Sequence, residues 1–396
     1  MRSYQAFSDE IDDLDLAVEE LAKQIETFNL SSNSGGIMYC GSEVDSSLLC
    51  KKLWERFHLP FIGTTCLGQF TSNGYREASI CLNLFTGEDI CFSGGLSGDL
   101  TSENMSEELK ESYRTLKKGM KSKEELIVLY IPWIPGVVYD DILDALTEVS
   151  DGVPIFGGIC SDEWEFDNCY AMCSMGSFSN RAAMLLVGGE FRPKFMTSYS
   201  INWSSDNAVV VTKAIGSTVY EIEGQPALDY FESIGLKLPE GNVFSDCLAS
   251  PMIFRYTTDD GEEISIVRNL FIVDTEEKSV TFAGRVLQGS RMTLALTSRI
   301  SINQTINEPI KLLRGMMKED TDYKHTGILV SSCTGRYCLV TADKNTENAT
   351  LLGAVDKYGL IVAGGYLNGE FCPIKNIETG KYITLLNNET FTLMGF

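Results

Sequence analysis

One short segment occurs three times in this chain, and that repetition limits what the chain can fold into. Residues 363–371 read A-G-G-Y-L-N-G-E-F, and residues 62–70 read I-G-T-T-C-L-G-Q-F. In both, an apolar run stops at a Gly, four residues intervene, and Gly, an acid or amide, and Phe follow (Gly364, Gly369, Glu370, Phe371; Gly63, Gly68, Gln69, Phe70). A looser copy runs from Phe156 to Trp164; Asp162 replaces the second Gly, and Glu163 and Trp164 keep the acid-aromatic ending. An apolar, β-rich run reads as a buried strand. Gly at its end permits a sharp turn or a close backbone approach, and the acid then emerges at a strand edge or loop, where sites are usually built. An ordinary turn explains any one copy; three copies with a shared ending point to internal duplication.

Between the copies the pattern alternates helix and strand. Leu14, Val18, Leu21, Ile25 and Phe28 step by four and three, which predicts an amphipathic helix capped by Asp12 or Asp13. Further helices are expected from Ser46 to about His58, from Ser106 to Gly119, over 139–149, from Pro226 to Gly235, over 303–317 and over 346–356. Strands are expected at 36–40, 126–133 and 153–158, with hairpins about Thr86-Gly87-Glu88 and about Asn387-Asn388. Residues 208–236 read as a hinge between domains, and GILVSSCTGRY (327–337) as a strand running into a loop. The expected fold is α/β (mixed α+β): two lobes of mixed β-sheet packed by helices, with internal pseudo-repeats.

Composition removes several function classes. A net charge of −23 repels nucleic acid and anionic membrane surfaces. No apolar run reaches membrane-span length and the N-terminus is polar and acidic, so neither a signal peptide nor a transmembrane helix is expected. The twelve cysteines include no CxxC pair, and reduced, buried thiols in a cytoplasm are the expectation. With only His58 and His325, a histidine-rich metal site or a Ser-His-Asp triad is hard to build. No Walker A or dinucleotide fingerprint is present.

These residues resemble the FIST domain, a bacterial sensory module. FIGTTCLGQF (61–70), VPIFGGICSDEWE (153–165) and AAMLLVGG (182–189) are similar to its FIST-N half. VTKAIGSTVYEIEGQPALDYFESIG (211–235), VSSCTGR (330–336) and AGGYLNGEFCP (363–373) are similar to FIST-C. The resemblance implies an N-terminal helix (1–29) joined to a FIST-N-like domain (30–213), then a FIST-C-like domain (214–396). It implies ligand sensing: binding of a small ligand, an amino acid or similar polar molecule, without catalysis and without a cofactor. The signal would pass to a separate histidine kinase, diguanylate cyclase or chemotaxis protein. Some family members are haem proteins that sense nitric oxide, so haem ligated by His58 or His325 is the alternative.

Several residues are candidates for such a site. Arg336 suits a bidentate clamp on a ligand carboxylate, and an ion pair with Glu370 or another acid is the competing role. Glu370 suits a ligand ammonium, with Gln69, Asp162 and Glu163 adding polar contacts. Arg and Glu meeting in one cleft would suit a zwitterionic amino acid. A hydrolase alternative rests on Cys333 beside Arg336, against the common case of a buried inert thiol, or on the Glu370 carboxylate. Asp229 reads as a solvated helix acid, and Phe70, Trp164 and Phe371 as core packing before pocket lining.

Overall fold

The computed structural model describes residues 1–199, 201–202, 207–258, 261, 263–298, 302, 305–339, 344–376 and 380–396. Three mixed sheets in it repeat one strand pattern. Each has a central parallel pair joined by a helical crossover. The pairs are Ser34–Cys40 with Phe61–Thr65, Glu124–Ile131 with Ile155–Ile159, and Gly327–Cys333 with Ile361–Leu367. An antiparallel strand flanks the first member of each pair: Ile80–Thr86, Ala183–Gly189 and Thr390–Gly395. An edge strand lies beyond it: Arg2–Ser8, Ile90–Leu96 and Lys194–Tyr199.

The neighbour of the second member comes from another repeat every time. Gln69–Thr71, which follows the first copy, pairs with Ile361–Leu367 of the third sheet. Glu370–Lys375, which follows the last copy, pairs with Ile155–Ile159 of the second. Ala171–Cys173, which follows the loose copy, pairs with Phe61–Thr65 of the first. The sheets are thereby laced head to tail in an approximate three-fold arrangement. Close approach of the two strands within each parallel pair explains the repeated glycine. A Cβ on Gly157 or Gly364 would lie 2.0 Å from the Leu129 or Val330 carbonyl oxygen, and one on Gly63 would lie 2.6 Å from that of Met38. Gly157 and Gly364 also take φ of 145° and 152°, which side chains other than hydrogen rarely allow.

Inner faces of the three sheets share one apolar core that includes Ile37, Ile62, Val128, Phe156, Leu329 and Phe396. Outer faces are covered by helix pairs: Leu14–Ile25 and Ser46–Phe57, Met105–Lys118 and Tyr139–Ser150, Asn307–Glu319 and Thr346–Val355. The first helix buries Leu14, Val18, Leu21 and Ile25, and the Asp13 carboxylate accepts from the N–H groups of Asp15 and Leu16. A second body is inserted after Lys194–Tyr199: a nine-stranded antiparallel sheet with its own core of Val211, Val219, Phe231, Phe254, Val280 and Phe282. Arg268 ties it to the second sheet's helix by donating to Asp140 (2.7 Å), and Arg285 adds Asp141 (2.9 Å) and Asp144 (2.7 Å).

The mixed α/β class expected from sequence holds, while several local readings change. Neither predicted hairpin forms. Ile80–Thr86 and Ile90–Leu96 belong to the first and second sheets, and Tyr382–Asn387 and Thr390–Gly395 to the second and third. Both turns carry the chain from one sheet to the next; Ile80–Thr86 and Thr390–Gly395 are buried along their whole length, unlike a surface hairpin. Within 208–236, read from sequence as a hinge between domains, Val209–Ile215 and Thr218–Ile222 are paired strands of the inserted sheet. Thr334–Leu339 is a short helix, and Arg2–Ser8 is an edge strand that the sequence did not announce.

Candidate functional site

The three repeat ends meet. Backbone N–H groups of Leu67, Ser161 and Asn368 donate to the carbonyls of Tyr366 (3.3 Å), Thr65 (3.2 Å) and Ile159 (3.0 Å), closing a ring. The side chains that follow then part into separate corners. By register, Gln69 opposite Gly365 and Glu370 opposite Gly158 are equivalent. The third equivalent is Ala171, opposite Thr64. Glu163 therefore does not occupy the acid position of the repeat: a longer loop displaces it, and it is exposed. Asp162 shapes that loop, its buried carboxylate accepting from the N–H groups of Phe166, Asp167 and Asn168, each at 3.0 Å. Trp164 packs against Phe244 of the inserted body at 5.4 Å, and Phe70 and Phe371 are core residues.

The Gln69 corner is closed. With its amide nitrogen toward the Arg76 carbonyl (3.0 Å) and the Ser79 hydroxyl (2.5 Å), its oxygen accepts from Gly41 N–H at 3.3 Å. Every polar atom of this buried side chain is then used.

The Glu370 corner is built otherwise. Strand Gly327–Cys333 brings Cys333, strand Glu370–Lys375 brings Glu370, the turn before Thr390–Gly395 brings Asn388 and Glu389, and the inserted body brings Asn269. All are almost fully buried. Glu370 Oε2 accepts from the Thr390 hydroxyl at 2.6 Å, and Glu389 Oε1 accepts from Asn269 Nδ2 at 2.8 Å. Four oxygens have no hydrogen-bond partner among the described residues: Glu370 Oε1, Glu389 Oε2, Asn269 Oδ1 and Asn388 Oδ1. All are acceptors. Unpaired buried polar atoms cost about 1–3 kcal/mol each, so a cluster of them marks a place built for something else.

Burial dominates the electrostatics. It holds the Glu370 carboxyl well above the usual carboxylate range, with the Thr390 bond opposing and Glu389 adding to the shift. Burial also pushes Glu389 up to about 7, against the pull of Asn269 and Arg336. Cys333 is raised well above an ordinary thiol by burial and by the Glu370 and Glu389 charges. Arg336 lies behind this corner with no exposed surface, donating from Nε (2.9 Å) and Nη2 (2.6 Å) to Glu347 Oε1, whose other oxygen accepts from Ser332 (2.8 Å). The acid that holds Arg336 is thus Glu347, from helix Thr346–Val355, and not Glu370.

A cleft of about 300 Å³ opens beside the corner. Trp133, Tyr139 and Ile159 wall it from the core, Phe271, Thr281 and Phe282 from the inserted body, and Asn368 and Asn388 form its polar floor. Asn368 is fixed by donating to the Cys160 carbonyl (3.0 Å) and accepting from Thr334 (3.2 Å). Asn388, Glu389, Asn269 and Glu347 escaped the sequence reading. Asn388 and Glu389 looked like turn residues, and only a long-range pairing puts Asn269 beside them. The non-glycine left-handed backbone of Glu389 (φ 57°) is visible only in the fold.

The histidines lie elsewhere. His58 is exposed at the end of its helix, its Nδ1 at 2.5 Å from the Trp54 carbonyl. His325 is buried with Nε2 on Asp320 (3.1 Å), and burial lowers its pKa against that pull. Its cleft is walled by Arg314, Lys318, Asp320 and Lys324. Neither histidine is among the described residues that line the cleft beside Glu370. Asp229 pairs with Lys278 at the surface. Among the described residues no helix is long and apolar enough to cross a membrane, and no group of three or more His, Cys, Asp or Glu is placed to hold a metal ion.

The uncharacterized protein MJ1623 of Methanocaldococcus jannaschii is 24% identical over 306 residues, covering 71% of this chain and 56% of that one, so the chain spans about half of that relative's length. Among solved structures, a cyanuric acid hydrolase covers 99% of this chain and 98% of its own at 10% identity and a TM-score of 0.33. A chorismatase covers 99% and 97% at 8% identity and 0.33. The FIST N domain matches residues 35–225 and the FIST C domain residues 227–373. The chain belongs to the FIST family, whose domains are sensory signal-transduction modules.

Proposed function

We propose that this chain is a non-catalytic receptor for a small polar molecule of amino-acid size, which binds in the cleft between the three-sheet core and the inserted body. One observation carries this reading: the cleft takes its walls from both bodies, and its floor presents a buried, unpartnered Asn388 oxygen. A ligand that touches both bodies favours the arrangement in which both touch it, so occupancy shifts their relative position. A separate output protein, of the histidine kinase, diguanylate cyclase or chemotaxis kind, reads that shift.

The surroundings of Cys333 support binding over hydrolysis. A nucleophilic thiol needs a lowered pKa and a base, whereas this thiol is raised by burial and two carboxyls. The test is a thermal-shift screen of the whole chain against amino acids, amines, small carboxylates and haemin. A ligand at a hundred times its Kd adds about 2.7 kcal/mol to the native state. The reading predicts a hit that disappears in Asn388→Ala. A haemin hit with a Soret band, lost with His325→Ala, would replace it.

A further inference from the structure

Resting on that reading of the cleft, we infer that the group recognised at its floor is an organic ammonium, and that the site takes a small primary amine in preference to a carboxylate or a zwitterion. Of the four unpartnered oxygens, Asn388 Oδ1 belongs to the lining of the cleft, and Glu370 Oε1, Glu389 Oε2 and Asn269 Oδ1 lie buried in the corner beside it; with the two carboxyls ionised, all four are acceptors. The Asn388 nitrogen already donates to the Asn387 carbonyl (3.2 Å) and the Asn269 nitrogen to Glu389 (2.8 Å), so the side-chain atoms left without any partner are the oxygens. An ammonium offers three donors and no acceptor, the complement of such a set. Against these four atoms a ligand carboxylate would face oxygens, whereas the Ser217, Thr218 and Thr281 hydroxyls in the lining serve either partner.

The walls agree. No Lys or Arg is among the described residues that line the cleft. Arg336, the one guanidinium behind the corner, is fully buried on Glu347. Trp133, Tyr139, Phe271 and Phe282 surround the opening. Aromatic faces attract a cation and shelter its alkyl part. The Tyr139 hydroxyl donates to the Pro132 carbonyl (2.9 Å) and accepts from Ile134 N–H (2.8 Å), so it offers a ring. A bare metal ion is less suited, because the acids are not grouped as metal ligands.

Binding is coupled to pH. The groups that face Glu389 are Glu370, Cys333, Asn269, and Arg336, Cys338 and Glu347 from the helices behind it. Since Glu389 gives up its proton near 7, an ammonium must displace that proton below this pH. Affinity therefore rises from pH 6 to 8.

The test is calorimetric titration of the full chain with ethylamine, ethanolamine and 1,4-diaminobutane, against alanine, acetate and calcium chloride. The expected result is binding of at least one amine, tighter than alanine by tenfold or more. Binding strengthens from pH 6 to 8 and releases protons, seen as heats that change with the buffer's ionisation enthalpy. Glu389→Gln and Asn388→Ala each weaken it at least tenfold with thermal unfolding retained; if either variant does not fold, the other carries the comparison. Acetate, alanine or calcium binding here while the amines fail would overturn the ammonium assignment and leave a receptor. Silence from every probe in both this and the wider screen would overturn the receptor reading too.

Discussion

Gln69 and Glu370 occupy the same place in two copies of one structural repeat, yet their corners differ in kind. Each begins a short strand that crosses to the next sheet, and each lies opposite the second glycine of a neighbouring copy. Each polar atom of the Gln69 side chain is matched within the chain. Around Glu370, four buried oxygens are unmatched and a cleft opens beside them. The backbone alone therefore does not make the site. What differs is the wall that the inserted body adds, with Asn269 and Phe271, and the Asn388-Glu389 turn. Symmetry supplied three equivalent corners, and one of them carries an uncompensated polar cluster.

The comparison is broken most forcefully at Arg336. If Arg336 serves the fold, Arg336→Ala leaves Glu347 buried and charged, and such losses cost about 3–5 kcal/mol; urea unfolding should show that loss. A variant as stable as the parent but unresponsive to ligand would make Arg336 a ligand clamp instead.

Next is the acid at the open corner. Glu389 in the native state titrates near 7, above its ordinary value, so the folded chain holds the proton more tightly than the unfolded one. The stability this contributes is complete below the ordinary carboxyl range and is lost as pH rises through 7. Glu389→Gln, which stays neutral, should therefore stabilise the ligand-free protein at pH 8 by up to about 3 kcal/mol, with little change at pH 4.5. A pH-stability profile unaltered by the substitution would contradict the buried, unpaired state of Glu389.

At the closed corner, Gln69→Ala removes the amide from the buried Ser79 hydroxyl, while the Arg76 carbonyl keeps the backbone N–H of residue 69; it should cost about 1–3 kcal/mol without changing ligand response. Loss of response there would mean the two corners act together. Smallest of all, Glu163→Ala should shift unfolding by less than about 0.5 kcal/mol, since the residue is an exposed loop acid.

Much of the architecture was legible in the sequence because it is written in short-range patterns. The 4-3 spacing from Leu14 to Ile25 gave the first helix, and the glycine motif gave the duplication, whose purpose is a carbonyl 2.0 Å from an absent Cβ. Strand partners were not legible. Thr86 to Ile90 and Asn387 to Thr390 look like hairpin turns, and nothing local says that the strands leaving them join other sheets. Of the candidate site, Glu370 was singled out through the glycine motif and Cys333 through VSSCTGR (330–336). Asn388, Glu389 and Asn269 were missed because their meaning comes from a contact across more than a hundred residues. Glu163 was misplaced because the loose copy holds a longer loop, which Asp162 organises.

The most direct test of the central claim compares hydrogen exchange at the two corners of the same molecule, with and without ethylamine at pH 8. The account predicts slowed exchange at the amides of 387–391 and 281–284 and none at 66–79. Protection at 66–79, or uniform protection of both corners, would contradict it.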